Sequence, residues 1–149
     1  MEARMESPAN ADVTTAIQHL CKAMHSGGVD PLLLELVHLR ASQINGCSPC
    51  VFAGVASATK QGRVRRAAAQ RGDLVREALL HRGRAGCARA DRGRPRIQDG
   101  APGVTDEIWD AATAHFDEEQ PSSVILNIAL TNFYNRINRT VREQAGKTW

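Results

Sequence analysis

Hydrophobic residues recur every three or four positions at the start of the chain, which predicts two consecutive helices. The first predicted helix spans residues 11–26, with Asn10 as its cap and Gly27-Gly28 as its end. Its predicted buried positions are Val13, Ile17, Leu20 and Met24. The second begins at Asp30-Pro31, an N-cap followed by a proline at the first helical position, and ends at Asn45-Gly46. The two elements predict a helical hairpin.

Three more helix starts follow along the chain. Ser48-Pro49 begins one helix, Thr105 can cap a second, and Pro121-Ser122 opens the longest. This last helix carries a broad apolar stripe, which is typical of a buried helix or of a subunit contact. The members of the stripe are Val124, Ile125, Ile128, Leu130, Phe133, Tyr134, Ile137 and Val141. Because no segment alternates as a strand does, the predicted fold class is all-α.

The length of 149 residues predicts one domain, 1–149, and its core must rely on aliphatic side chains because aromatics make up only 4% of the chain. No stretch approaches the roughly 20 apolar residues of a membrane span, and the start lacks a signal-peptide pattern. We therefore expect a cytoplasmic protein. In that compartment a CxxC pair is more often redox-active or metal-binding than structural.

Charge is distributed unevenly, and the middle of the chain is responsible. Residues 51–96 hold Lys60 and eleven arginines against three acidic residues, so twelve basic minus three acidic gives +9, whereas the whole chain carries +3. The segment is rich in Arg, Ala and Gly and has weak apolar periodicity, so any helices within 51–96 are doubtful. Three interpretations compete: a solvated or disordered stretch, a basic arm that binds nucleic acid without sequence preference, and GC-rich DNA read in a shifted frame.

A shifted reading frame is the interpretation we favour. Plausible codons for Leu79-Leu80-His81-Arg82, read one base along, give Tyr-Phe-Thr-Glu, which resembles the acidic and apolar protein on either side. Sequencing the coding DNA across codons 48–100 would test this interpretation. Of the other two, the solvated stretch is favoured over nucleic-acid binding, because the segment has no aromatic residue beyond Phe52 on which bases could stack.

Cys47-Ser48-Pro49-Cys50 is the motif that carries chemistry, and Glu35 lies twelve residues before it on the preceding predicted helix. A nucleophilic cysteine must lose its proton, and the amino end of a helix favours the resulting negative charge. Glu35 could accept the proton directly or through a water, while the second cysteine closes a disulfide. The pattern therefore predicts thiol redox chemistry with a redox-active disulfide and no bound cofactor.

Two alternatives to a redox site stay open. Glu35 could be a surface acid beside an inert pair of small buried cysteines, or the cysteines could bind zinc. Zinc needs two further ligands, and the remaining candidates form no second pair: Cys21, Cys87, His19, His25 and His38. His38 follows Glu35 by three residues, so it can share the same helix face and assist proton transfer, although a packed or solvated role is the common one for such a histidine.

The run LLLELVHLRASQINGCSPC, residues 32–50, resembles the carboxymuconolactone decarboxylase and alkylhydroperoxidase AhpD family, and so do the C-terminal runs VTDEIWDAATAHFDEEQ and ILNIALTNFYNRIN. The resemblance implies an all-helical AhpD-like bundle, a homo-oligomer and a peroxidase that is re-reduced by a dithiol or lipoyl-type partner. It also implies that Cys50 attacks the peroxide, Cys47 resolves the intermediate and Glu35 relays the proton. Members without the cysteine pair decarboxylate a lactone, so that activity without peroxidase function is an alternative.

The chain departs from the family pattern at one position of the motif. The pattern continues with a histidine four residues after the second cysteine, where this chain has Gly54. We therefore expect impaired peroxidase activity, and an inactive remnant with a nucleic-acid-binding basic segment is a further alternative. A shifted frame would account for both the missing histidine and the unusual composition of 51–96.

Overall fold

The computed structural model describes residues 2–5, 7–60 and 104–147. All of the regular secondary structure in these ranges is α-helix. The first three helices are α1 (Ala11–Ser26), α2 (Pro31–Asn45) and α3 (Ser48–Lys60). The two that follow the gap are α4 (Asp106–Thr113) and α5 (Gln120–Val141). The all-α prediction is confirmed. No helix in these ranges is long and apolar enough to cross a membrane.

The predicted helix boundaries are confirmed by the caps. Asn10 accepts a hydrogen bond from the Val13 backbone at 2.9 Å, and Asp30 accepts one from Leu32 at 2.9 Å. These bonds satisfy amide groups that have no partner inside the helix. Gly46 ends α2 with a φ of +65°, a left-handed conformation that glycine adopts without steric cost. This turn leads directly into the cysteine motif.

Helix α2 lies at the centre of the described bundle, packed against both α3 and α5, while α1 packs against α5. The apolar core joins α1, α2 and α5 through five buried side chains: Met24, Val29, Leu34, Val124 and Leu130. Two of the four burial predictions for α1 are wrong, because Val13 and Leu20 are exposed whereas Ile17 and Met24 are buried. A helix that rests mainly on one neighbour buries only a narrow face.

The apolar stripe predicted on α5 is divided between the inside and the outside of the described bundle. Val124, Leu130 and Val141 are buried, but Ile125 is 53% exposed and Phe133 is 42% exposed. The buried face is instead largely polar, with a side chain at every fourth position: Ser123, Asn127, Thr131 and Asn135. The sequence predicts that this stripe is buried or forms a subunit contact; only part of it is buried in the described bundle, and the subunit contact stays a prediction.

The doubtful segment 51–96 falls partly within the described structure. Residues 51–60 continue α3 as regular helix, so the third predicted helix extends ten residues past Cys50. The rest of the segment, with all eleven of its arginines, lies outside the described residues. The three interpretations of that remainder stay predictions.

Candidate active site

Cys47 and Cys50 lie at the amino end of α3 and are joined by a disulfide, with their Cα atoms 5.4 Å apart. Cys47 occupies the cap position: its backbone N–H donates to the Ser42 carbonyl at 3.0 Å, and its carbonyl accepts from Val51 at 2.9 Å. Cys50 sits in the first helical turn, where unpaired amide groups and the helix dipole favour a negative charge. The predicted proximity of the two cysteines is confirmed.

The two sulfur atoms have different surroundings. Cys47 is completely buried, whereas Cys50 retains 5% of its exposure. The side-chain amide of Asn138, from α5, donates a hydrogen bond to the Sγ of Cys50 at 3.2 Å. An amide donor of this kind stabilises the sulfur more when it carries a negative charge. Of the pair, Cys50 is therefore the better placed to hold a thiolate.

Glu35 and His38 meet at Gly54, one helical turn beyond Cys50 on α3. A Cβ atom at Gly54 would lie 3.1 Å from the Glu35 Oε1 and 3.3 Å from the His38 Cδ2. Since residues four apart share one face of a helix, Gly54 and Cys50 point toward the same side of α3. Glu35 and His38 therefore share one face of α2, as their spacing predicts, and their roles in proton transfer stay predictions.

The polar residues of α5 pair with α2 in a constant register, which the apolar pattern of the sequence did not indicate. Asn127 donates to the Leu34 carbonyl at 2.7 Å, the Thr131 hydroxyl lies 3.1 Å from the His38 Nδ1, and Asn135 donates to the Ser42 hydroxyl at 3.1 Å. Residue numbers rise together along both helices, so α2 and α5 run in the same direction. We call these three contacts the polar seam.

The far end of the polar seam is completed by Asn45 just before the cysteine motif. Its amide donates to the side-chain oxygens of Asn132 and Asn135, both at 2.7 Å. Arg139 donates to the Asn45 carbonyl at 2.5 Å. These bonds hold the turn that carries Cys47 against α5. Buried polar residues recur at every fourth position of α5, and this spacing is the sequence signal that could have revealed the arrangement.

A cavity of about 360 Å³ opens beside Glu35 and His38. Its other titratable lining residues are Cys21 and His25 from α1 and Tyr134 from α5. Neither cysteine of the disulfide lines this cavity, although Gly54 of α3 does. Among the described residues, no group of three or more histidine, cysteine or acidic side chains is arranged to hold a metal ion.

Tyr134 offers a direct test of how this cavity is packed. Burial, followed by the charge and the hydrogen bond of the neighbouring Cys21, raises the pKa of Tyr134 from 10.0 to about 12. Because Tyr134 is the sole tyrosine of the chain, an absorbance titration of tyrosinate reports this group alone. We expect a midpoint well above 10, and a lower but still raised midpoint in Cys21→Ala.

The raised pKa of Tyr134 also predicts that the folded protein becomes less stable at high pH. Above pH 10 the unfolded chain loses the tyrosine proton while the folded chain keeps it, so stability falls as the pH rises toward 12. A tyrosinate midpoint at the ordinary value of 10 in the folded protein would show that Tyr134 is not packed against Cys21 in this way. Urea unfolding at several pH values checks the stability trend.

Comparison with known proteins identifies relatives of this chain by fold and by family. A solved structure from Agrobacterium tumefaciens, of a protein of unknown function described as a candidate antioxidant defence protein AhpD, has a TM-score of 0.71 to this chain. The two are 24% identical, and the match covers 99% of this chain and 100% of the other, which shows a shared fold. No curated protein matches the chain significantly.

A family model matches the region of the chain that contains the cysteine motif. The model of the carboxymuconolactone decarboxylase family matches residues 11–86, just over half of the chain, from the first residue of α1 past the end of α3. The matched region contains Glu35, the cysteine pair and Gly54, and it continues into the arginine-rich segment. Together with the all-helical AhpD-like fold, the match shows that the chain belongs to the carboxymuconolactone decarboxylase family.

Proposed function

We propose that this protein is a thiol oxidoreductase that reduces peroxides, with Cys50 as the attacking cysteine and Cys47 as the resolving one. The observation that carries the proposal is the disulfide at the amino end of α3, with an Asn138 donor on one sulfur. The Asn138 donor favours Cys50 for attack, since the thiolate must be stabilised, and Cys50 is also the less completely buried of the two. Cys47, fully buried beside it, suits resolution.

The reaction balances over three steps. The Cys50 thiolate attacks the outer oxygen of a hydroperoxide, which breaks the O–O bond, takes up one proton to release an alcohol and leaves a sulfenic acid on Cys50. The Cys47 thiol then attacks that sulfur, and the disulfide forms as water departs. Finally, a dithiol of the lipoyl class reduces the disulfide by thiol exchange and is itself oxidised to a disulfide.

Glu35 is proposed to accept the Cys50 proton before attack and to return it to the leaving alkoxide. Support comes from its carboxylate oxygen beside Gly54, one turn from Cys50 on the same face of α3. A path through one water is compatible with general base catalysis.

A cytoplasmic location fits the cycle because dithiol reductants keep such pairs reduced there. A homo-oligomer is also proposed, with the exposed Ile125 and Phe133 available to a second copy.

The test is a stoichiometric oxidation followed by turnover. The protein is reduced, freed of reductant and treated with one equivalent of cumene hydroperoxide per chain. We expect the loss of two free thiols, with a Cys47–Cys50 disulfide in the peptide map, and continuing peroxide consumption when dihydrolipoamide is supplied. Peroxide loss no faster than with dihydrolipoamide alone would overturn the proposed function, as would oxidation without that disulfide.

A further inference from the structure

A side chain at position 54 would be crowded by the side chains of Glu35 and His38. Besides the Glu35 oxygen at 3.1 Å and the His38 carbon at 3.3 Å, the Leu39 Cδ1 would lie 3.4 Å from a Cβ atom at Gly54. Contacts of 3.0 to 3.4 Å are tighter than ordinary van der Waals packing. Gly54 is therefore matched to the imidazole and the carboxylate that face it, and α3 approaches α2 closely at this point.

The imidazole of His38 is held in a defined orientation. Its Nδ1 lies 3.1 Å from the Thr131 hydroxyl in the polar seam. The atom nearest to Gly54 is Cδ2, which is bonded to the other ring nitrogen, Nε2. One nitrogen is thus anchored on α5, while the Nε2 edge of the ring is turned toward α3 and the cavity beside Glu35. A ring with one fixed and one free-facing nitrogen is suited to passing a proton.

We infer that His38 is the histidine of the proton relay in this protein and that it acts through Glu35. In this arrangement His38 is a positioning residue: it exchanges a proton with the Glu35 carboxylate, which in turn serves Cys50, and Thr131 fixes the ring. Gly54 must stay small so that the ring can lie against α3. The inference rests on the proposed function for its peroxide step, but the relay can also be measured on the thiol alone.

A reciprocal exchange of the two positions tests the inference. Gly54→His restores the residue of the family pattern but places it against Glu35 and His38, so we expect a loss of activity. His38→Ala removes the relay and is expected to slow the Cys50 reaction about 10-fold or more. The double variant opens the space and supplies an imidazole from α3, so it should recover to near the wild-type rate. Such recovery identifies a shared site.

The first readout is the rate at which iodoacetamide alkylates Cys50 in the reduced protein between pH 5 and 9, followed by mass spectrometry. His38→Gln keeps a polar side chain near Thr131 but cannot carry a proton, so its pH profile should lose an inflection that the wild type shows. The other titratable groups facing His38 are Glu35 on α2, Cys21 and His25 on α1, and Tyr134 on α5, and they are unchanged in this variant.

The second readout, peroxide turnover, separates the inference from the proposed function. A His38-dependent alkylation profile without peroxide turnover in the wild type would support the relay and overturn the peroxide substrate. Normal turnover and an unchanged profile in His38→Gln would overturn the relay and leave the proposed function intact. Losses that simply add in the double variant would also overturn the relay. If Gly54→His does not fold, the His38→Gln profile decides alone.

Discussion

Replacing Cys50 with serine is expected to reduce peroxide consumption to the rate of the reductant alone, whereas Cys47→Ser, treated without reductant, should consume one equivalent of peroxide per chain and hold a sulfenic acid on Cys50. Without Cys50 no thiolate lies beside the Asn138 donor to attack the O–O bond. Without Cys47 the attack proceeds, but the sulfenic acid has no neighbouring thiol with which to form a disulfide. Dimedone labelling followed by mass spectrometry should find the adduct on Cys50 in the second variant.

Ser48→Ala is the matched control, because it alters a hydroxyl between the two cysteines and leaves both thiols in place. Ser48 is exposed at the start of α3, and its variant should turn over peroxide as the wild type does. A stoichiometric burst in Cys50→Ser, with the dimedone adduct on Cys47, would reverse the two roles. Continuous turnover in Cys50→Ser would contradict the disulfide mechanism altogether.

Asn135→Ala is expected to lower the free energy of unfolding by about 2–4 kcal/mol, the largest stability effect that we anticipate for a single polar residue. Asn135 is 2% exposed, donates to Ser42 and accepts from Asn45. Ser42 is itself completely buried, so removing the amide leaves a hydroxyl without this donor and without access to water. Urea unfolding followed by circular dichroism gives the difference.

Asn132→Ala provides the comparison, since both residues are asparagines on α5 that accept a bond from Asn45. Asn132 is exposed, so water replaces the lost bond, and we expect a change within about 0.5 kcal/mol. Equal losses of unfolding free energy in the two variants would show that burial does not determine how much these hydrogen bonds contribute to stability. A neutral Asn135→Ala would show that the seam contributes no net stability.

The helices and the location of the chemistry could be predicted from sequence because their signals are local. Asn10, Asp30 and Thr105 each bond to a backbone amide two or three residues away, so a few adjacent letters determine the start of a helix. The same holds for Cys47 and Cys50, whose separation by three residues at a helix start brings the sulfurs together. Such features do not depend on which helices pack against each other.

The polar seam and the crowding at Gly54 could not be predicted in this way. The bond between Asn138 and Cys50 joins residues 88 positions apart, and the three contacts of the polar seam join residues 93 positions apart. Apolar periodicity assigns Ile125 and Phe133 to the packing face of α5, but satisfied amides can be buried in their place. Only the packing of α2, α3 and α5 shows which face of α5 is inside.

The common direction and fixed offset of α2 and α5 have a mechanical consequence. A helix can slide along its neighbour only in steps that re-pair its side chains, and one helical turn is about 5.4 Å. A slip of that size would carry Asn138 out of reach of the Cys50 sulfur, now 3.2 Å away, and would break the contacts with Leu34, His38 and Ser42 together. The polar seam thus fixes the position of α5 along α2, and with it the distance from the Asn138 donor to the sulfur of a cysteine far away in the sequence.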